Sequence, residues 1–212
     1  MTSVAEGPID LTAANLLLST TRAVRRRLDF DRPVEREVLL DCVRLAQQAP
    51  TGGNAQGWSW VIVTDADKRA GLADIYRDAS AEYFAAVTVA DEQTKRVRAS
   101  ALYLRENLHR APVHVIPCIR GRRDEVSPAG APGFYGSILP AAWSFCLALR
   151  ARGLGSAWTT LHLGLAERAA ELLDIPDDYI QCALLPVAYT LGTDFRPAHR
   201  PAPETIVHWD GW

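Results

Sequence analysis

Residues 137–161 read SILPAAWSFCLALRARGLGSAWTTL. From Ser137 to Arg152 there is no charge before Arg150, and the apolar residues point in every direction around a helix. A helix of this kind is buried on all sides, or is buried partly in a partner subunit. Pro140 fits only in its first turn, where the missing N–H does no harm. Gly153-Leu154-Gly155 stops the helix, and Ser156 to Leu161 then reads as a strand.

The flanking sequence supplies further elements of both kinds. Upstream, Asp10 caps a short amphipathic helix from Leu11 to Ser19. After Pro33, Val34, Val38, Leu39, Cys42, Val43 and Ala46 recur at helical steps, a pattern that must break at Ala49-Pro50-Thr51-Gly52-Gly53-Asn54. Trp58 to Thr64 is a strand. Asp67 to about Arg110 is charge-rich and helical, and two helices are expected there. The β-branched run Val113–Ile119 is a strand, and Gly121 to Gly133, rich in glycine and proline, is a loop. Downstream, a helix over Ala166–Leu173 and a long apolar strand over Ile180–Leu191 are expected. The last segment, Arg196 to Trp212, reads as an extended arm that ends as a strand, because Ile206, Val207 and Trp209 are costly to leave in water. Strands interspersed with helices and no clear linker predict one α+β domain over residues 1–212, with a helical excursion and loop over 67–133 and the arm over 196–212.

Composition narrows the function. The formal charge is −2 and the pI near 6.2, so no global basic field attracts nucleic acid, although Arg25, Arg26 and Arg27 are consecutive. No run approaches the ~18 apolar residues of a membrane span, and the N-terminus, with Glu6 and Asp10, lacks a secretory pattern. A cytoplasmic location is expected. Cys42, Cys118, Cys146 and Cys182 lie far apart and read as buried free thiols, and the scattered histidines indicate no metal site.

No phosphate-binding P-loop, no dinucleotide fingerprint after a strand and no nucleophile elbow is present. Three polar segments stand out at the ends of apolar elements. Arg22, Arg25 and Arg26 follow the first helix; the Pro50–Asn54 turn leads to Gln56; and Arg196 and Arg200 lie in the C-terminal arm. Guanidinium forks suit a phosphate, and a Gly-Gly turn brings backbone N–H groups close to a planar ligand. Each also has a plain structural explanation, as a solvated face or a turn.

The order Thr21-Arg22-Ala23-Val24-Arg25-Arg26, helix, Ala49-Pro50-Thr51-Gly52-Gly53-Asn54-Ala55-Gln56-Gly57-Trp58, strand, resembles the N-terminal pattern of the FMN-dependent nitroreductase family. The Ser137–Ala142 helix start, Gly153 to Thr160 and the ending His208-Trp209-Asp210 resemble its second half. The resemblance implies a central mixed, mainly antiparallel sheet flanked by helices, in an intertwined homodimer with exchange of the C-terminal arm. It also implies FMN in a cleft at the dimer interface. Arg22 and Arg200 would bind the phosphate with Ala23 close by through its backbone, and Arg25 would approach the ribityl and pyrimidine side. Pro50, Thr51, Gly52 and Asn54 would come from the partner, with Gln56 beside them. Ser137 and Ile138 would complete the cofactor contacts, and Thr160 and Leu161 would place backbone N–H groups near flavin N5.

Three positions depart from the family pattern: Thr21 replaces a frequent arginine, Ala23 the usual serine, and Gly57 a proline. The serine hydroxyl is therefore missing, and Arg26 is the expected substitute. No side chain accepts a hydride, so the flavin would carry the redox chemistry. The implied activity is a ping-pong transfer through flavin N5 from NADH or NADPH to an electron-poor small molecule such as a nitroaromatic or quinone, with Arg25 stabilising the reduced flavin. Tyr83, Phe84, Tyr103 and Phe134 are the candidate substrate contacts. The same family contains dehalogenases, dehydrogenases and flavin-fragmenting enzymes, and a non-catalytic flavin-sequestering protein is the reading from a different class.

Overall fold

The computed structural model describes residues 9–86 and 91–212. The secretory reading around Glu6, and the part of the helical excursion over 87–90, fall outside these residues. α1 spans Leu11–Thr20, and the Asp10 carboxylate accepts from Thr12 N at 2.8 Å and Ala13 N at 3.2 Å. Two otherwise orphan donors at the helix start are thus satisfied. α2 spans Arg36–Ala46 and buries Leu39, Cys42 and Ala46. It ends before the expected break, because Gln48 N and Ala49 N bond three residues back and tighten the chain ahead of Pro50.

β1, Trp58–Val63, leads into three helices rather than two: α3 over Ala66–Ala79, α4 over Ala81–Ala86 and α5 over Glu92–Asn107. The caps are legible, since Asp65 accepts from Lys68 N at 2.9 Å and Asp91 from Thr94 N at 2.6 Å. β2 spans Val113–Arg120. Within the expected loop over 121–133 a short 3-10 turn forms at Arg123–Glu125, and α6, Ala131–Gly136, begins before the loop was expected to end.

α7 runs Leu139–Ala151, so Ser137 and Ile138 link two helices and do not open one. Pro140 sits in its first turn, as expected. Taken together, Ala131–Ala151 is long and apolar enough to cross a membrane by length and composition, with mean hydropathy 1.2, a property not anticipated from the sequence. Its apolarity serves packing in this chain: Ala141, Ala142, Phe145, Cys146, Ala148 and Leu149 are buried, several of them with α2 and the sheet.

The segment after α7 departs from expectation. β3 is only Leu154–Ser156, so the strand predicted over Ser156–Leu161 does not continue past Ser156, and its last residue, Leu161, opens a 3-10 turn over Leu161–Leu165. Gly153, at φ +76°, reverses the chain at once, and a Cβ on Gly155 would meet Thr190 at 2.7 Å and Val24 at 2.9 Å. α8 spans Ala166–Leu173 as predicted. The expected long strand over 180–191 is two, β4 over Tyr179–Gln181 and β5 over Leu185–Tyr189. Both pair antiparallel with β2: Cys118 opposes Gln181 and Val115 opposes Leu185, so residues 182–184 face only 116 and 117. This bulge frees Leu184 to exchange backbone hydrogen bonds with Thr159, at 2.8 and 3.2 Å.

The architecture is α+β, with an antiparallel sheet of order β1-β2-β5-β3 flanked by helices and β4 beside β2. A single parallel bridge, Ala23 to Ser156, adds the arginine segment to its edge. β2 is central, and its residues Val113–Ile119 are all buried. The four cysteines are buried and free; burial pushes Cys42 up to about 11 and the other three to about 12, so they remain thiols. The arm beyond Arg196 is extended with one 3-10 turn at Pro203–Thr205, and the expected terminal strand does not form.

Candidate cofactor cleft

The end of α1 delivers the arginine segment to the sheet edge, where Val24 N donates to Ser156 O at 2.8 Å. Arg22 reaches the arm and donates to Arg196 O at 3.0 Å. Arg27 holds the same arm by donating to Leu191 O at 2.8 Å and to the Asp194 carboxylate at 2.6 Å, with its guanidinium 4.3 Å from the Phe195 ring centre. A cleft of about 600 Å³ opens between these segments, and Arg22, Ala23, Arg25, Arg200, Trp143 and Pro197 stand in its wall. Three guanidinium groups and no carboxylate line it, so its field favours an anion. Four residues expected from sequence to hold one ligand, drawn from opposite ends of the chain, thus meet in one place. Trp143 and Pro197 were missed; the signal available was a lone tryptophan among the small residues of a helix with no charge before Arg150.

Arg26 is a correction. Its guanidinium donates to Ala99 O at 3.5 Å and lies 5.5 Å from the Tyr103 ring centre, on α5, and it is absent from the cleft wall. Arg25 to Leu28 form a turn closed by Leu28 N donating to Arg25 O at 3.3 Å, and the turn carries Arg26 toward α5 and away from Ala23 and the cleft wall.

The Pro50–Gln56 turn gathers elsewhere in the chain. Gly53, Asn54 and Gln56 all adopt positive φ, at 58°, 54° and 49°. Asparagine tolerates this conformation, but for glutamine it is costly, and such strain concentrates at ligand sites. Local bonds hold it: Gln56 N donates to Thr51 Oγ1 at 3.2 Å and Gln56 Nε2 to Asn54 Oδ1 at 3.0 Å. Gly52 N donates to Ser137 Oγ at 2.9 Å, which joins the turn to Ser137 and, next to it, the buried Ile138. No residue of this turn stands in the wall of the arginine cleft.

Thr160 is exposed, and its N–H donates to no backbone carbonyl among the described residues. Leu161 is half-buried and starts the 3-10 turn. Among the substrate candidates, Phe84 is 6% exposed and packed inside the chain, which leaves its ring no face for a ligand. Tyr83 is exposed, Tyr103 stacks on Phe30 at 6.5 Å, and Phe134 packs over Gly121 and the Ile119–Ile138 cluster. None of the four lines the arginine cleft. A separate hollow of about 520 Å³ against β4 and α8 mixes acids and bases and contains no predicted site residue.

Among families of known proteins, the model described as Nitroreductase family matches residues 18–189. The chain belongs to this family. The match includes the arginine segment, the Pro50–Gln56 turn and Thr160, and it stops short of Arg200, whose place rests on the cleft geometry. Among solved structures, the chain is similar to an iodotyrosine deiodinase bound to FMN and 3-iodo-L-tyrosine, at TM-score 0.69 and 21% identity over 92% of this chain and 98% of that one. It is also similar to NfnB of Sphigopyxis sp. strain HMH, an FMN- and NADPH-dependent nitroreductase, at TM-score 0.67 and 20% identity over 94% and 99%. A nitroreductase-like protein of Bacillus cereus matches at TM-score 0.66 and 17% identity over the full length of both chains. These identities establish the fold. No curated protein sequence matches the chain.

Proposed function

We propose that this nitroreductase-family chain is an FMN-dependent NAD(P)H oxidoreductase that acts in the cytoplasm as a homodimer and reduces electron-poor small molecules such as nitroaromatics or quinones. The observation that carries the reading is the meeting of Arg22, Arg25 and Arg200 in a carboxylate-free cleft. The donor set fits a phosphorylated, flat cofactor: Arg22 and Arg200 would hold the phosphate, and Arg25 would lie toward the part of the ring system that gains negative charge on reduction. The strained Pro50–Gln56 turn, with Ser137 and Ile138, would complete the site from the partner subunit, because it lies apart from the arginines of its own chain. FMN, when bound, supplies hydride acceptance and donation at N5, which no side chain offers. Thr160 and Leu161 would contribute backbone N–H groups near that atom, and the Thr159–Leu184 bonds hold the segment in place.

Donor and acceptor would use one cleft in turn, so the kinetics should be ping-pong. The test is anaerobic reduction of the purified protein by NADPH and by NADH, followed by reoxidation with a nitroaromatic, a quinone or an iodinated phenol. Reoxidation only by the iodinated phenol would replace the proposed acceptor class with dehalogenation, a reading the similarity to the deiodinase keeps in view. Bound FMN that neither nucleotide reduces would indicate a flavin-sequestering protein instead.

A further inference from the structure

Ala23 and Ser156 face one another across the parallel bridge, with Val24 N bonded to Ser156 O at 2.8 Å. Ala23 offers only a methyl group. Ser156 is 8% exposed, and its Oγ has no hydrogen-bond partner among the described residues. Beside the arginine cleft lies a narrow recess of about 120 Å³, and Thr21, Arg22, Ala23 and Trp143 stand in the walls of both, so the two adjoin. Ser156 and Arg150 form the inner wall of this recess.

Arg150 adds a second unsatisfied donor. Its Nη2 is used by Thr20 Oγ1 at 3.3 Å and Thr193 O at 3.1 Å, while its buried Nε has no acceptor. Buried donors without acceptors are unusual, and two in one recess point to a missing acceptor. No aspartate or glutamate lines the recess, so nothing within the chain supplies one. Its volume suits a small oxyanion and is too small for an aromatic ring system.

We infer that this recess is the innermost seat of a phosphate monoester, with Ser156 donating the hydroxyl bond that Ala23 cannot and Arg150 donating through Nε. The inference rests on the FMN reading above and deepens it. The ligand's phosphate sits where recess and cleft meet at Arg22, between Arg150 on the recess side and Arg200 on the cleft side, while its body remains in the larger cleft.

The test compares binding of FMN and of riboflavin, which lacks the phosphate, to the full-length protein by fluorescence quenching. Ser156→Ala should weaken FMN about tenfold, the usual effect of losing a hydrogen bond to a charged group, and leave riboflavin unchanged. Adding Ala23→Ser to Ser156→Ala should restore FMN binding, a rescue that a purely structural role for Ser156 would not produce. Arg150→Lys keeps the charge and removes Nε, and should likewise weaken FMN and spare riboflavin. A wild-type preference for FMN over riboflavin that persists undiminished in Ser156→Ala and Arg150→Lys overturns this inference alone. A wild-type protein with no preference for FMN overturns it together with the cofactor reading.

Discussion

β2 and the C-terminal arm carry comparable apolar side chains, Val113, Val115, Ile116 and Ile119 in one, Ile206, Val207, Trp209 and Trp212 in the other. In β2 every one of them is buried, because helices pack on both faces of the sheet: Val113 and Val115 cluster with Leu39 of α2 and Phe145 of α7, and Ile116 with Leu72 of α3 and Leu104 of α5. In the arm every one is exposed, Trp209 at 86%. The same chemistry therefore has a complete environment in one region and an incomplete one in the other. The sheet is satisfied within a single chain. The arm holds Arg200 at the cleft while presenting two tryptophans to solvent, and the proposed dimer would cover them.

If the contrast holds, damage to the two regions should produce different kinds of failure. Phe145 on α7 is fully buried and packs on Trp60 of β1, with ring centres 5.2 Å apart. Phe145→Ala should cost roughly 3–5 kcal/mol in denaturant unfolding. The proposed dimer's dependence on the arm should survive wherever the chain stays folded.

Acid should also act on the sheet region. Burial holds His114 and His162 near pKa 4, below the ordinary 6.5, and His114 Nε2 lies 2.9 Å from Leu108 O. Between those values the unfolded chain binds protons that the folded chain refuses. Stability is thus complete above pH 6.5 and falls as the pH drops toward 4, by roughly 3 kcal/mol per histidine. Gln181 lies beside His162, yet neither ring nitrogen makes a well-formed hydrogen bond. His162→Leu should flatten part of the pH dependence of the denaturation midpoint with little loss at neutral pH.

Deleting residues 197–212 should behave in the opposite way. The sheet should still unfold cooperatively, while FMN affinity falls about 100-fold with the loss of Arg200 and the covering arm. An arm deletion that melts the sheet would break the comparison. Arg25→Ala should leave the fold intact and slow reduction by NADPH more than it weakens FMN binding, as stopped-flow bleaching would show. The smallest effect is expected at Asp10, where alanine should cost about 1 kcal/mol through loss of the α1 cap.

Much of the fold was legible where side-chain period and punctuation agree. Asp10 and α1, the buried face of α2, β1, β2 and α8 follow from apolar spacing bounded by Asp, Pro or Gly. Legibility failed where long-range packing decides. The bulge at 182–184 depends on what Thr159 offers across the sheet, which an unbroken apolar run does not reveal. β3 starts early because Gly153 takes φ +76° and Gly155 packs against Val24. Of the proposed site, Arg22, Ala23, Arg25 and Arg200 were named through the family resemblance, and the structure places the four in the wall of one cleft. Arg26 was misassigned because neighbouring arginines are alike in sequence and diverge in direction. Trp143, Arg150 and Ser156 went unnoticed because each sits inside an apolar element where a packing role is the ordinary one.

Sedimentation velocity of the purified protein, followed in both the protein and flavin absorption bands, tests the central claim most directly. A single boundary at twice the 23.3 kDa chain mass, with flavin moving with it, is the predicted result. A boundary at the mass of one chain, colourless even after incubation with excess FMN, would contradict it.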